Sequence, residues 1–143
     1  MSVNQVSIFL ENSKGRLAEV TRILAKEGID LRALSLADTS DFGVLRIIVA
    51  DPDRCLGVLK ENGFVARTTE VVAVEVEDRP GGMSRVLDVL DEAGLNVEYM
   101  YAFVAKAREH AVVVCKIDER ERAREVLKAK GIRTISAAEL RGL

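Results

Sequence analysis

The 143-residue chain has no tryptophan, two prolines, two cysteines, one histidine and only 4% aromatic residues. So few aromatics leave no stacking platform for single-stranded nucleic acid. Cys55 and Cys115 belong to no C-x-x-C pair, and a single distant histidine does not complete a zinc set. Both read as small buried hydrophobes in a reducing compartment. Neither charge dominates. Twenty-one Lys and Arg are mixed with 23 Asp and Glu, for a net charge of −2. No basic stripe is available to follow a phosphate backbone. No apolar run approaches the roughly 18 residues of a membrane span. The opening M-S-V-N-Q-V-S-I-F-L-E-N lacks both a basic n-region and a long apolar h-region, so secretion is not expected. The expectation is a cytoplasmic protein that binds neither nucleic acid nor membrane.

What is present is a globular composition, 48% hydrophobic and 31% charged, in a length that suits one average domain or two small ones. An internal repeat favours two. A constant offset places Glu11, Gly15, Val20, Leu24 and Gly28 on Glu77, Gly81, Val86, Leu90 and Gly94. Further on, V-L-K-E-N-G-F at 58–64 matches V-L-K-A-K-G-I at 126–132 after small loop insertions. Such self-similarity means duplication of one supersecondary unit, with domains expected at 1–69 and 70–143.

Each unit reads strand, helix, strand, strand, helix, strand. The first copy predicts strands over Gln5–Leu10, Ile29–Ala37, Val44–Val49 and Phe64–Thr69. One helix follows Gly15, with Leu17, Val20, Ile23 and Leu24 on one stripe, and a second is capped by Asp51-Pro52. The second copy predicts strands over Val71–Val76, Leu95–Phe103, Ala111–Ile117 and Ile132–Ile135, with helices over Gly82–Ala93 and Glu119–Lys130. T-S-D-F-G reads as a turn, and S-A-A-E-L as a last helical turn. The fold class is α+β: two ferredoxin-like βαββαβ modules, each an antiparallel sheet with both helices on one face. Residues 44–49 and 111–115 are apolar on both faces, which predicts a cover on both faces and hence sheet packing in a homodimer.

The chemistry concentrates in the loop D-R-P-G-G-M-S at 78–84. Glycines bare the backbone for close approach, and the first turn of a helix offers unpaired amides to a carboxylate. Asp78 suits an ammonium group, and Asn96 offers both donor and acceptor. Neither G-x-x-x-x-G-K-[ST] nor G-x-G-x-x-G is present, so nucleotide binding is not argued.

D-R-P-G-G-M-S-R-V-L-D-V-L-D-E-A-G-L-N-V-E-Y-M-Y-A-F closely resembles the ACT domain, an amino-acid-binding module of metabolic enzymes. E-N-S-K-G-R-L-A-E-V-T-R-I-L-A-K-E-G-I-D-L resembles it as well. The resemblance covers nearly the whole chain and implies a stand-alone tandem pair. It also implies an effector held between two modules joined through their second strands. Carried onto this chain, the binding loops are Asn12, Ser13, Lys14, Gly15, Arg16 and Leu17, then Asp78, Arg79, Gly81, Gly82 and Met83. The second-strand positions are Asp30 and Asn96. Lys14 stands where the second copy has proline, and Asp30 replaces the usual Asn, so unequal sites are expected. Tyr99 and Tyr101, on the face of Leu95 and Val97, wall a pocket for an aromatic or branched side chain.

No nucleophile sits beside a base. His110 falls in the turn K-A-R-E-H without a sequence neighbour to pair with, and no metal or cofactor is expected. The reading is a non-enzymatic regulatory protein that senses a free amino acid at the joint between ACT modules. It acts by allosteric regulation of a partner enzyme of amino-acid metabolism. The alternatives are a structural or assembly subunit and, less favoured, a ferredoxin-like enzyme with an unrecognised site.

Overall fold

A computed structural model describes residues 2–38, 41–104 and 110–142. The chain forms two compact units, Asn4–Thr69 and Glu70–Leu143 with Met1–Val3. The first contains β1 (Val3–Glu11), α1 (Arg16–Lys26), β2 (Ala33–Asp38), β3 (Phe42–Ile48), α2 (Pro52–Glu61) and the start of β4 (Val65–Glu77). β3 pairs antiparallel with both β1 and β2, which leaves β2 at an edge. Val6, Ile8 and Leu10 of β1 meet Leu45 and Ile47 of β3 under Val20 and Leu24 of α1 and Cys55 and Leu59 of α2. The four-residue spacing within each helix puts both apolar residues on one stripe. Asp51 starts α2 by accepting a hydrogen bond from the Arg54 amide at 3.1 Å, with Pro52 at the first helical position.

The second unit repeats the plan with the rest of β4, α3 (Gly82–Glu92), β5 (Val97–Ala102), β6 (His110–Ile117), α4 (Arg120–Ala129) and β7 (Thr134–Ile135). β6 lies between β4 and β5, and β7 pairs with β4 through Ala73 and Val74. Its core joins Val72, Val74 and Val76 to Val113, Cys115 and Ile117 beneath Val86, Leu90, Ala123 and Leu127. A closing helix, α5 (Ala137–Arg141), forms at S-A-A-E-L with a reciprocal cap between Ser136 and Glu139.

Several sequence expectations shift. Phe64–Thr69 and Val71–Val76 are one strand, because the run from Val65 to Glu77 holds no Gly, Pro or other strong turn former. The second strands begin at Ala33 and Val97, later than Ile29 and Leu95. Ile29 and Leu95 donate their amides back to Leu24 and Leu90, both at 2.9 Å, and so still belong to the helix ends. β7 is shortened to two residues. In T-S-D-F-G, Thr39 and Ser40 lie outside the described residues, and Phe42 and Gly43 already belong to β3. His110 is the first residue of β6 rather than a turn residue, and its Nδ1 lies 3.3 Å from a carboxylate distant in sequence, that of Glu75. Residues 106–109 of that turn lie outside the described residues.

Val71, Ala73, Val112 and Val114 are buried, as are Gln5 and Ser7, which are hydrogen-bonded to each other at 3.0 Å.

Candidate functional site

The loops after the first strand of the two units share a left-handed glycine at the helix start and one backbone hydrogen bond. Gly15 and Gly81 cap α1 and α3 at φ +88°, a left-handed conformation that side chains resist. Ser13 donates its amide to the Glu11 carbonyl at 2.8 Å and Arg79 to the Glu77 carbonyl at 2.9 Å. Neither helix start receives a side-chain cap. Gly82 serves a different purpose. A Cβ there would overlap the Glu77 carbonyl oxygen, so the missing side chain lets α3 press onto the end of β4.

In the second unit this loop overhangs a pocket of about 360 Å³, within the range of small-molecule sites. Val76, Met83 and Val113 form its apolar floor, Met100 and Ala102 of the edge strand its side, and Asp78 and Arg79 its rim. Arg79 pairs with Glu77. Carboxylate, guanidinium and apolar floor together match the ammonium, carboxylate and side chain of an amino acid.

The tyrosines do not lie as expected. β5 has an irregularity between Val97 and Tyr99: Val97 pairs with Ile117, but Tyr99 pairs with Lys116 and Met100 with Cys115. Ile117 and Cys115 belong to the core under the helices. The extra residue reverses the alternation, so Met100 and Ala102 share the helix face while Tyr99 and Tyr101 take the opposite one. Tyr101 still borders the pocket, between Met100 and Ala102; Tyr99 does not.

The ACT domain pair family matches residues 1–143. This chain belongs to that family. A crystallised protein of Bacteroides thetaiotaomicron shares 43% sequence identity with this ACT pair, over 100% of this chain and 98% of that one, with a TM-score of 0.92. The regulatory subunit of aspartate kinase from Thermus flavus superposes with a TM-score of 0.63 at 19% identity, over 90% of each chain. That from Thermus thermophilus, in its ligand-free form, has a TM-score of 0.62 at 19% identity, over 90% and 89%. At such identity these two establish a shared fold. No curated protein matches the chain.

Of the residues named from the sequence of the second ACT domain, Asp78, Arg79, Met83 and Tyr101 meet at the pocket. Gly81 and Gly82 line a neighbouring cavity, along with Arg79. Asn96 is not in the lining; it precedes β5, and its amide donates to Asp118 Oδ1 at 3.3 Å. In the first ACT domain Asn12 donates its amide to the Asp41 carbonyl at 3.0 Å. Ser13 and Lys14 are exposed on the loop, and Asp30 pairs with Arg32 at 3.3 Å. Arg16 lies over the Phe64 ring. Leu17, Leu34 and Leu36 are exposed at the repeat positions of Met83, Met100 and Ala102. Sequence reasoning missed Met100 and Ala102, which line the pocket from the edge strand.

The thiols take no part in the pocket. Burial pushes Cys115 up to about 12 and, despite the nearby Arg54, Cys55 up to about 11, far from the range of reactive thiolates. Among the described residues no helix is long and apolar enough to cross a membrane.

Proposed function

We propose that this ACT pair is a regulatory protein of the cytoplasm that binds a free amino acid and modulates a partner enzyme of amino-acid metabolism. The pair is read as two domains, 1–69 and 70–143. The observation that carries the proposal is the pocket in which Asp78 and Arg79 overhang Met83 and Met100 beside the open edge of β5. Asp78 takes the ammonium group, Arg79 and the loop amides take the carboxylate, and the methionines take an apolar or branched side chain. A second copy docking on the exposed edge strands closes the pocket, which makes a homodimer the working form. A ligand held at such a joint stabilises the arrangement it bridges, and this differential affinity is the signal. The first domain has Ser13 where the second has Arg79, so the second is the tighter site.

A melting-temperature screen against the twenty amino acids tests the proposal, because a ligand of the folded state raises the midpoint by mass action. A selective rise that is lost in Asp78→Ala and in Met83→Ala is expected. No rise with any amino acid would overturn the reading.

A further inference from the structure

The same loop of the second ACT domain also borders an open pocket of about 540 Å³. Arg85 and Val86 of α3, Ile132 and Arg133 after α4, Glu75 of β4 and His110 contribute to its wall. The two domains differ here in a coordinated way. In the first, Arg16 opens α1 with its guanidinium 4.5 Å from the centre of the Phe64 ring and 3.0 Å from the Glu19 carboxylate. By the repeat, the second domain has Gly82 for Arg16, Ile132 for Phe64 and Arg85 for Glu19. Thus the side chain that fills the place is gone, the ring that stacks on it is aliphatic, and the charge that pairs with it is reversed. The first domain supplies its own cationic occupant. The second has a pocket here instead, with Arg85 on a wall that also carries Glu75 and Glu77.

The remaining wall defines what fits. Arg85 uses one donor on the Lys130 carbonyl at 2.6 Å, and a guanidinium has five. Glu75 pairs with Arg133 at 3.0 Å, a guanidinium it shares with Glu139, and faces His110 at 3.3 Å, while Glu77 pairs with Arg79. The carboxylates of Glu75 and Glu77 on the wall disfavour a doubly charged phosphate but tolerate a single negative charge beside Arg85. Val86 and Ile132 offer apolar contact. We propose that this cavity is a second ligand site, which takes a small monocarboxylate with its charge on Arg85 and its aliphatic part against Val86 and Ile132. The site does not depend on the amino-acid reading of the other pocket.

Butyrate titrated into the 15N-labelled full chain tests the assignment, with butyramide and inorganic phosphate as comparisons. Saturable amide shifts at Gly82, Arg85, Ile132 and Arg133 are expected with butyrate and not with butyramide. Arg85→Glu, which restores the charge of the first domain, weakens butyrate roughly tenfold or more, the worth of a charge-assisted contact. Arg85→Gln serves if the charge reversal loses the dispersed spectrum. Unsaturable butyrate shifts, an equal response to butyramide, tighter binding of phosphate or unchanged affinity in the folded variant would each overturn it. The amides of Asp78 and Met100 report the other pocket in the same spectra, so failure there is read separately.

Discussion

Gly82 and Glu77 touch backbone to backbone: the α-carbon that opens α3 faces the last carbonyl of β4 so closely that a methyl group would overlap its oxygen. Its neighbour Gly81 has open space around it but a φ of +88°. Two adjacent glycines are thus required for two unrelated reasons, one steric and one conformational.

Alanine separates these reasons. Gly82→Ala forces the backbones apart and costs about 1–3 kcal/mol, the usual penalty of overpacking. Gly81→Ala costs about 1–2 kcal/mol through its left-handed backbone. Urea denaturation measures both, and a Gly82→Ala midpoint equal to wild type would mean that the close approach is not a constraint.

Met100, not Tyr99, faces the proposed amino-acid pocket. Met100→Ala removes apolar contact worth about 1–2 kcal/mol and weakens the ligand accordingly, whereas Tyr99→Leu leaves affinity unchanged. Calorimetric titration with the amino acid that gives the largest melting shift decides; the reverse pattern would mean that the β5 irregularity does not set the face.

The buried thiols make stability depend on alkaline pH. Their folded values, about 11 and about 12, lie above the ordinary 9.0. The unfolded chain therefore loses these protons first as pH rises. It then binds fewer protons than the folded state, and stability falls. The contribution is complete below pH 9 and is lost progressively towards pH 11 to 12. Each thiol contributes a slope of up to about 1.4 kcal/mol per pH unit. Urea midpoints between pH 8 and 11 should fall less steeply in a Cys55→Ala, Cys115→Ala double variant; parallel curves would refute the assignment.

Arg16 and Phe64 form an internal pair in the first domain. A double-mutant cycle with Arg16→Met and Phe64→Leu should give a coupling of about 0.5–1 kcal/mol, the range for a partly exposed cation over a ring. The Glu19 contact is exposed enough that Glu19→Gln should add only about 0.5 kcal/mol. A coupling of zero would remove Arg16 as the occupant of that space.

Much of this protein was legible without coordinates. The repeat, the order of strands and helices, the capping of α2 at Asp51 and Pro52, and the glycine entrances to α1 and α3 all follow from local chemistry. Turn formers, helix caps and apolar periodicity act over a few residues and leave their mark in the sequence. Asp78, Arg79 and Met83, which line the candidate pocket, lie in the loop that carries the family resemblance.

The tertiary structure decided what local pattern cannot count. Alternation assumes one residue per rung, so the extra residue between Val97 and Tyr99 moved the tyrosines off the helix face and put Met100 there. Replacement of the Arg16, Phe64 and Glu19 trio by Gly82, Ile132 and Arg85 is visible residue by residue, but only packing turns those differences into a filled space in one domain and an open one in the other.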